Sequence, residues 1–157
     1  MFADILQCMA DRQDGLEHAL SESLAVRGNK PGMEELRVAL ERALFFFYEG
    51  YCATPESIDE FGGGWIAEQA LAIGVWCALT ATSFEQAVIG AVNHSGDSGS
   101  IGLITGHLLG GRYGAAAIPA RWYEGQELCS VIEKIARGID RMQREYSGCG
   151  GAAEGEI

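Results

Sequence analysis

Gly96-Asp97-Ser98-Gly99-Ser100-Ile101-Gly102 runs directly into Leu103-Ile104-Thr105-Gly106-His107-Leu108-Leu109-Gly110-Gly111-Arg112-Tyr113-Gly114. An acidic residue sits in a glycine-rich turn, and an apolar run with helical character follows. Gly102, Gly106, Gly110 and Gly114 recur every fourth residue, which places them on one face of a helix. A glycine inside a helix costs roughly 0.5–1 kcal/mol relative to alanine. The stripe therefore predicts that another backbone comes close along that face. The helix reads as the buried centre of the fold, with Asp97 as the N-cap at its positive end.

Outward from this stretch the pattern stays helical. Upstream, residues 65–81 are apolar on almost every face (Trp65, Ile66, Leu71, Ile73, Val75, Trp76, Leu79), the signature of a core helix. Ser83, with Gln86 three residues on, predicts a capped helix carrying Phe84, Ala87, Val88, Ala91 and Val92. Ser57-Ile58-Asp59-Glu60 has the form of a capping box, but Gly62-Gly63-Gly64 limits it to a single turn. Pro31 is placed to open a helix reaching about Gly50, and the run Phe45-Phe46-Phe47-Tyr48 predicts deep packing of its second half. Phe2, Ile5, Leu6 and Met9, then Leu16, Ala19, Leu20 and Leu24, give two shorter amphipathic helices. Downstream, Ile118-Pro119 ends the glycine-striped helix, and a last helix spans about 124–146 with Leu128, Val131, Ile132, Ile135, Ile139 and Met142 on one stripe. No strand or internal repeat is evident. The expected fold class is all-α, a compact helical bundle forming one domain over 1–147, with 148–157 as a flexible tail.

The 157 residues suit one domain that buries roughly 68–70% of its unfolded surface. A hydrophobic fraction of 48% with 21% charged residues argues for a globular chain. The net charge of −11 disfavours nucleic acid and anionic membranes, which need a basic surface, and suits a basic protein partner. Cys8, Cys52, Cys77, Cys129 and Cys149 are odd in number and show no CxxC spacing, so neither a disulfide framework nor a zinc site is expected. No basic-then-apolar leader opens the sequence, and the apolar run at 70–82 is too short to span a bilayer. The expected location is cytoplasmic.

Several segments resemble the ADP-ribosylglycohydrolase family. Gly62-Gly63-Gly64-Trp65-Ile66-Ala67-Glu68-Gln69-Ala70-Leu71-Ala72 looks like its G-x-G-W/F-V-A-E-E-A-L-A segment, and Ser83 to His94 resembles the helix that follows. Gly96-Asp97-Ser98-Gly99-Ser100 falls on its G-D-x-D-S/T metal motif, and 101–114 on its glycine-rich helix. Ile118-Pro119 and Trp122 match what usually follows, so the likeness spans about 57–137. It implies the C-terminal half of an all-α fold, with 57–147 as the core and 1–56 as divergent helices in front. Members of the family remove ADP-ribose at a site holding two magnesium ions. The resemblance implies Gly63, Gly64, Trp65, Gly96, Asp97 and Ser98 as the ligand-binding loop, and Asp97 and Ser100 as the remnant of a metal site.

Two departures matter. The chain has no Asp-Asp pair, and Gly99 stands where the motif has its second acid. Asp97 and Ser100 alone are a poor magnesium shell, because that ion demands near-octahedral oxygen ligation. The expectation is therefore a non-catalytic descendant without a cofactor, most concretely an immunity protein that neutralises a basic toxin, such as an ADP-ribosyltransferase, by contact. ADP-ribose as a retained ligand and a second copy in a homodimer are further partners to consider. The alternative is a Mg²⁺-dependent ADP-ribosyl hydrolase in which Asp97 is essential and the missing ligands come from another chain or segment, with Asp11, Asp14 and Glu17 as the nearest acids. A serine-hydrolase reading of Asp97-Ser98-Gly99, with Ser98 as nucleophile, lacks both a suitable scaffold and a positioned histidine–acid pair. His107 reads as a core histidine, His94 as a loop or helix-end residue and His18 as solvated.

Overall fold

The computed structural model describes residues 1–12 and 15–149, with side chains at 1–10 and 15–146. Among them are the helices α1 (Phe2–Arg12), α2 (Leu16–Arg27), α3 (Glu34–Tyr48), α4 (Pro55–Phe61), α5 (Ala67–Thr80), α6 (Phe84–Val92), α7 (Ser98–Tyr113), α8 (Ala120–Tyr123) and α9 (Cys129–Cys149), and no strand. The all-α class is as expected. The backbone divides into two compact units, Met1–Ile118 and Pro119–Ile157.

In the first unit the buried centre is α5, not the glycine-striped helix. Residues 70–79 of α5 are all buried, whereas α7 buries only Ile101, Thr105, Leu108 and Leu109. An uninterrupted apolar run turns a new side chain outward every 100°, so such a helix must be covered on all sides. α3, α6 and α7 supply that cover, and α6 also packs on α7. Trp76 is fully buried, with its ring 4.9 Å from Phe46 and 6.0 Å from Phe61, and its indole N–H donates to the Tyr51 carbonyl at 3.1 Å. Pairing that N–H removes most of the penalty for burying it. Arg42 stacks its guanidinium over Phe61 at 4.5 Å and closes the rim of the aromatic cluster. α1 and α2 pack together, joined by Arg27 to Asp4 at 2.6 Å, and α1 reaches α7, where Phe2 meets His107 edge-on.

The glycine stripe is corrected in detail. A side chain at Gly102 would meet Val92 at 2.6 Å, but Gly106 and Gly110 have nothing within 4 Å, and Gly114 is the C-cap with φ 71°. The close approach comes from the opposite partner. Gly74 of α5 would meet Ile104 at 2.6 Å, and the Thr105 hydroxyl donates to the Gly74 carbonyl at 3.2 Å. His107 is exposed rather than a core residue. In the aromatic run Phe45 and Tyr48 are exposed and only Phe46 and Phe47 are half-buried, because four successive residues fan around α3.

Local signals fared unevenly. The Ser83 hydroxyl accepts from the Gln86 N–H at 3.1 Å, as expected. At α4 the cap is Thr54, paired with Ser57 in a reciprocal box and followed by Pro55 in the first turn, so the 57–60 box is displaced by three residues. Pro31 lies in a turn ahead of α3 rather than inside it. The last helix starts at Cys129, later than expected, since Leu128 takes a left-handed φ of 61°. It continues through Cys149, and 150–157 of the expected tail lie outside the described residues. No helix among the described residues is long and apolar enough to cross a membrane.

Candidate functional site

Two glycine-rich loops come together at one end of the first unit. The loop after α4 carries Gly62, Gly63 and Gly64 with φ of 120°, 71° and 79°, a run that only glycine adopts readily. The loop before α7 carries Gly96 and Asp97. The Asp97 N–H donates to the Gly63 carbonyl at 2.8 Å. The backbones are so close that a side chain at Gly96 would overlap the Gly63 carbonyl and sit 2.6 Å from its Cα. Ile101, on the first turn of α7, fills the space beside Gly64, and the Trp65 indole folds near Gly63 while remaining 71% exposed.

Side chains brace this junction. Asp97 caps α7, with Oδ1 accepting from the Ser100 N–H at 3.1 Å. Hydrogen bonds from the Ser100 side chain and backbone hold the Asp97 carboxyl below the usual range. The Ser98 hydroxyl donates to the His94 carbonyl at 3.2 Å. His94 Nδ1 accepts from the Gly96 N–H and Nε2 faces the Ala91 carbonyl, both at 3.0 Å, so the ring bridges the loop and the end of α6. The Ser95 hydroxyl donates to Asp59 of α4 at 2.8 Å.

The structure brings Gly63, Gly64, Trp65, Gly96, Asp97, Ser98 and Ser100 together at this junction. Ser98 is turned to a carbonyl and has no histidine base, which removes the nucleophile reading. His94, Ser95 and Asp59 were missed as a bracing set. Their signal was weak: His94 directly precedes the loop, and Asp59 was absorbed into a capping pattern.

Magnesium, which the family likeness implies, does not fit the donors present. Among the described residues no three His, Cys, Asp or Glu side chains converge as a metal site would require. Asp97 has one oxygen engaged in capping, and the position of Gly99 offers no side-chain oxygen. Of the acids that might have compensated, Glu17 accepts a hydrogen bond from the Tyr48 hydroxyl, and the side chains of Asp11 and Asp14 lie outside the described residues.

Near the loops, α3 and the start of α5 border an open groove of about 530 Å³ lined by Val38, Ala39, Phe61 and Ile66, with Glu34, Glu35 and Glu68 among its charged residues. Val38 and Ile66 are more than half exposed. The arrangement can present an apolar strip bordered by three glutamates and Arg42.

The family model described as ADP-ribosylglycohydrolase matches residues 1–148, so the likeness reaches well beyond 57–137 and includes the first helices. The chain is also similar to an ADP-ribosylarginine hydrolase, Tri1, of Pseudomonas putida strain GB-1, at 26% identity over 84 residues. That alignment covers 54% of this chain and 23% of the relative, so the chain spans under a quarter of the relative's length in the match. No solved structure matches significantly.

Proposed function

The chain belongs to the ADP-ribosylglycohydrolase family, and from that premise we propose that it works by binding rather than by hydrolysis. The observation that carries this reading is the donor set at the docked loops: Asp97 is already engaged as a helix cap, Asp59 accepts from Ser95, residue 99 is glycine, and among the described residues no three His, Cys, Asp or Glu side chains converge. Two magnesium ions need several hard oxygen ligands each, and metal-assisted hydrolysis needs those ions to orient water and substrate.

The partner proposed is a basic protein, most concretely a toxin that this chain neutralises as an immunity protein. The −11 charge supports fast association with such a partner. The groove beside the loops supports a contact surface, because exposed Val38 and Ile66 line it, exposed Trp65 stands in the adjoining loop, and Glu34, Glu35 and Glu68 outnumber Arg42 among its charged residues. A second reading, a magnesium-dependent ADP-ribosyl hydrolase completed by another chain or segment, is favoured by the match to a named hydrolase.

Titration calorimetry with ADP-ribose, with and without 5 mM Mg²⁺, separates the two. The binding reading expects no magnesium-dependent heat. Magnesium-dependent binding that disappears in Asp97→Ala would overturn it. Under the binding reading, co-expression with a basic toxin should yield a complex weakened by Trp65→Ala and by Glu34→Lys with Glu35→Lys.

A further inference from the structure

We propose that the groove between α3 and the start of α5 docks a basic amphipathic helix of a protein partner, with aliphatic side chains on one face and Lys or Arg beside them. This rests on the binding reading above and specifies which part of the partner is held. The apolar lining is Val38 and Ala39 from α3, Phe61 from the end of α4 and Ile66 from the turn before α5. Val38 is 57% and Ile66 53% exposed, so two large apolar side chains of the lining are left uncovered. Along α3 the groove runs from Glu34 to Arg42, about 12 Å at the helical rise per residue. That is about two turns, the length over which anchors at i, i+4 and i+7 of a docked helix make contact. A helix suits such a surface because its backbone groups are paired internally and none is left unbonded against the apolar lining.

Charge selects the basic occupant. Glu34, Glu35 and Glu68 line the same groove and have no hydrogen-bond or ion-pair partner among the described residues. Their places in the first turns of α3 and α5 suit the helix dipoles, but account neither for the apolar lining beside them nor for their want of a cation. Arg42 does not supply one. Its guanidinium lies over the Phe61 ring at 4.5 Å and the Phe46 ring at 5.1 Å, and it makes no ion pair with the glutamates. A Lys or Arg beside the aliphatic anchors meets an unpaired carboxylate, whereas an acidic helix meets three like charges.

Two alanine-based helical peptides test this on the full chain. One carries Leu at i, i+4 and i+7 with Lys beside them, and the other has Glu in place of each Lys. In about 0.1 M NaCl the Lys peptide should bind about 10-fold tighter or more, with the ratio shrinking in about 0.5 M NaCl. Methyl NMR should place its contacts at Val38, Ala39 and Ile66. Val38→Ser with Ile66→Ser should weaken binding about 10-fold or more, whereas Leu103→Ser, on exposed α7 surface, should not. Glu35→Gln with Glu68→Gln should lower the Lys preference more than Glu49→Gln with Glu56→Gln, which removes the same charge outside the groove. Circular dichroism checks that each variant is folded. The proposal is overturned by a Lys peptide that fails to bind or that contacts another surface, or by equal effects of the two glutamate pairs. Val38 and Ile66 methyl groups shielded from a neutral gadolinium chelate in the free chain overturn it too. If these failures come without magnesium-dependent ADP-ribose heat, the groove assignment alone falls; such heat refutes the binding reading whatever the peptides do.

Discussion

Replacing Gly96 with alanine should separate the two glycine loops. The added methyl would overlap the Gly63 carbonyl oxygen and lie 2.6 Å from the Gly63 carbonyl carbon and Cα. All three are backbone atoms, so no flexible side chain can yield. Forcing a methyl into a packed site costs about 1–3 kcal/mol. Loss of the Asp97 N–H bond to Gly63, 2.8 Å long, adds about 0.5–1.5 kcal/mol. The sum is a destabilisation of about 2–4 kcal/mol, or a fall in Tm of roughly 4–16 °C for a chain of this size. Gly106→Ala is the matched control. It lies on α7 with nothing within 4 Å, so alanine should raise stability by about 0.5–1 kcal/mol through helix propensity. Thermal melts and urea titrations followed by circular dichroism read both, with the m-value checking that the unfolding transition keeps its character. A Gly96→Ala protein melting within 2 °C of wild type would refute the docking of the loops. A destabilised Gly106→Ala would refute the open space beside it.

Other outcomes follow from single residues. Trp76→Ala should cost about 3–5 kcal/mol in a urea titration, since the ring is fully buried within an aromatic cluster; a loss under 1 kcal/mol would mean the cluster is not the core. The Asp97 carboxyl is held below its ordinary value of 3.8, so its charged form stabilises the fold above the unfolded pKa, and that contribution disappears as pH falls through the lower folded value. Wild type should therefore exceed Asp97→Asn in urea midpoint at pH 7, with the gap closing below pH 3.8; a gap independent of pH would sink the assignment. Burial pushes the Cys77 thiol up to about 12. A thiol reagent at pH 8 should label exposed Cys52 in the native protein and reach Cys77 only in denaturant, as mass spectrometry of the peptides would report.

What could be read from the sequence was local. The Ser83 and Asp97 caps depend on one side chain and a backbone N–H two or three residues on, and both formed. The all-round apolar run of α5 announced its burial by composition alone. Face assignment on α7 failed because the four-residue spacing of glycines says nothing about which neighbour arrives; α7 meets α5 through Ile104 and Thr105, and the glycine that allows the approach is Gly74 of α5. The aromatic run of α3 was misjudged although helical rotation alone forbids four consecutive residues from sharing one core. Thr54 was overlooked, yet Pro55 in the first helical turn marks it as the cap. At the candidate site the departure at Gly99 was plain in the sequence, whereas the bracing by His94, Ser95 and Asp59 required the fold, since Ser95 and Asp59 are 36 residues apart.

The bond from the Asp97 N–H to the Gly63 carbonyl joins residues 34 apart, and both α5 and α6 lie within that span. One amide therefore ties the base of a loop that contains the core helix. Exchange of this proton with solvent deuterium requires the two loops to separate. Because neither can withdraw without disturbing α5, the Asp97 amide should exchange together with the interior amides of α5, as part of one cooperative unit. Its exchange rate becomes a single-site gauge of how often the heart of the protein opens.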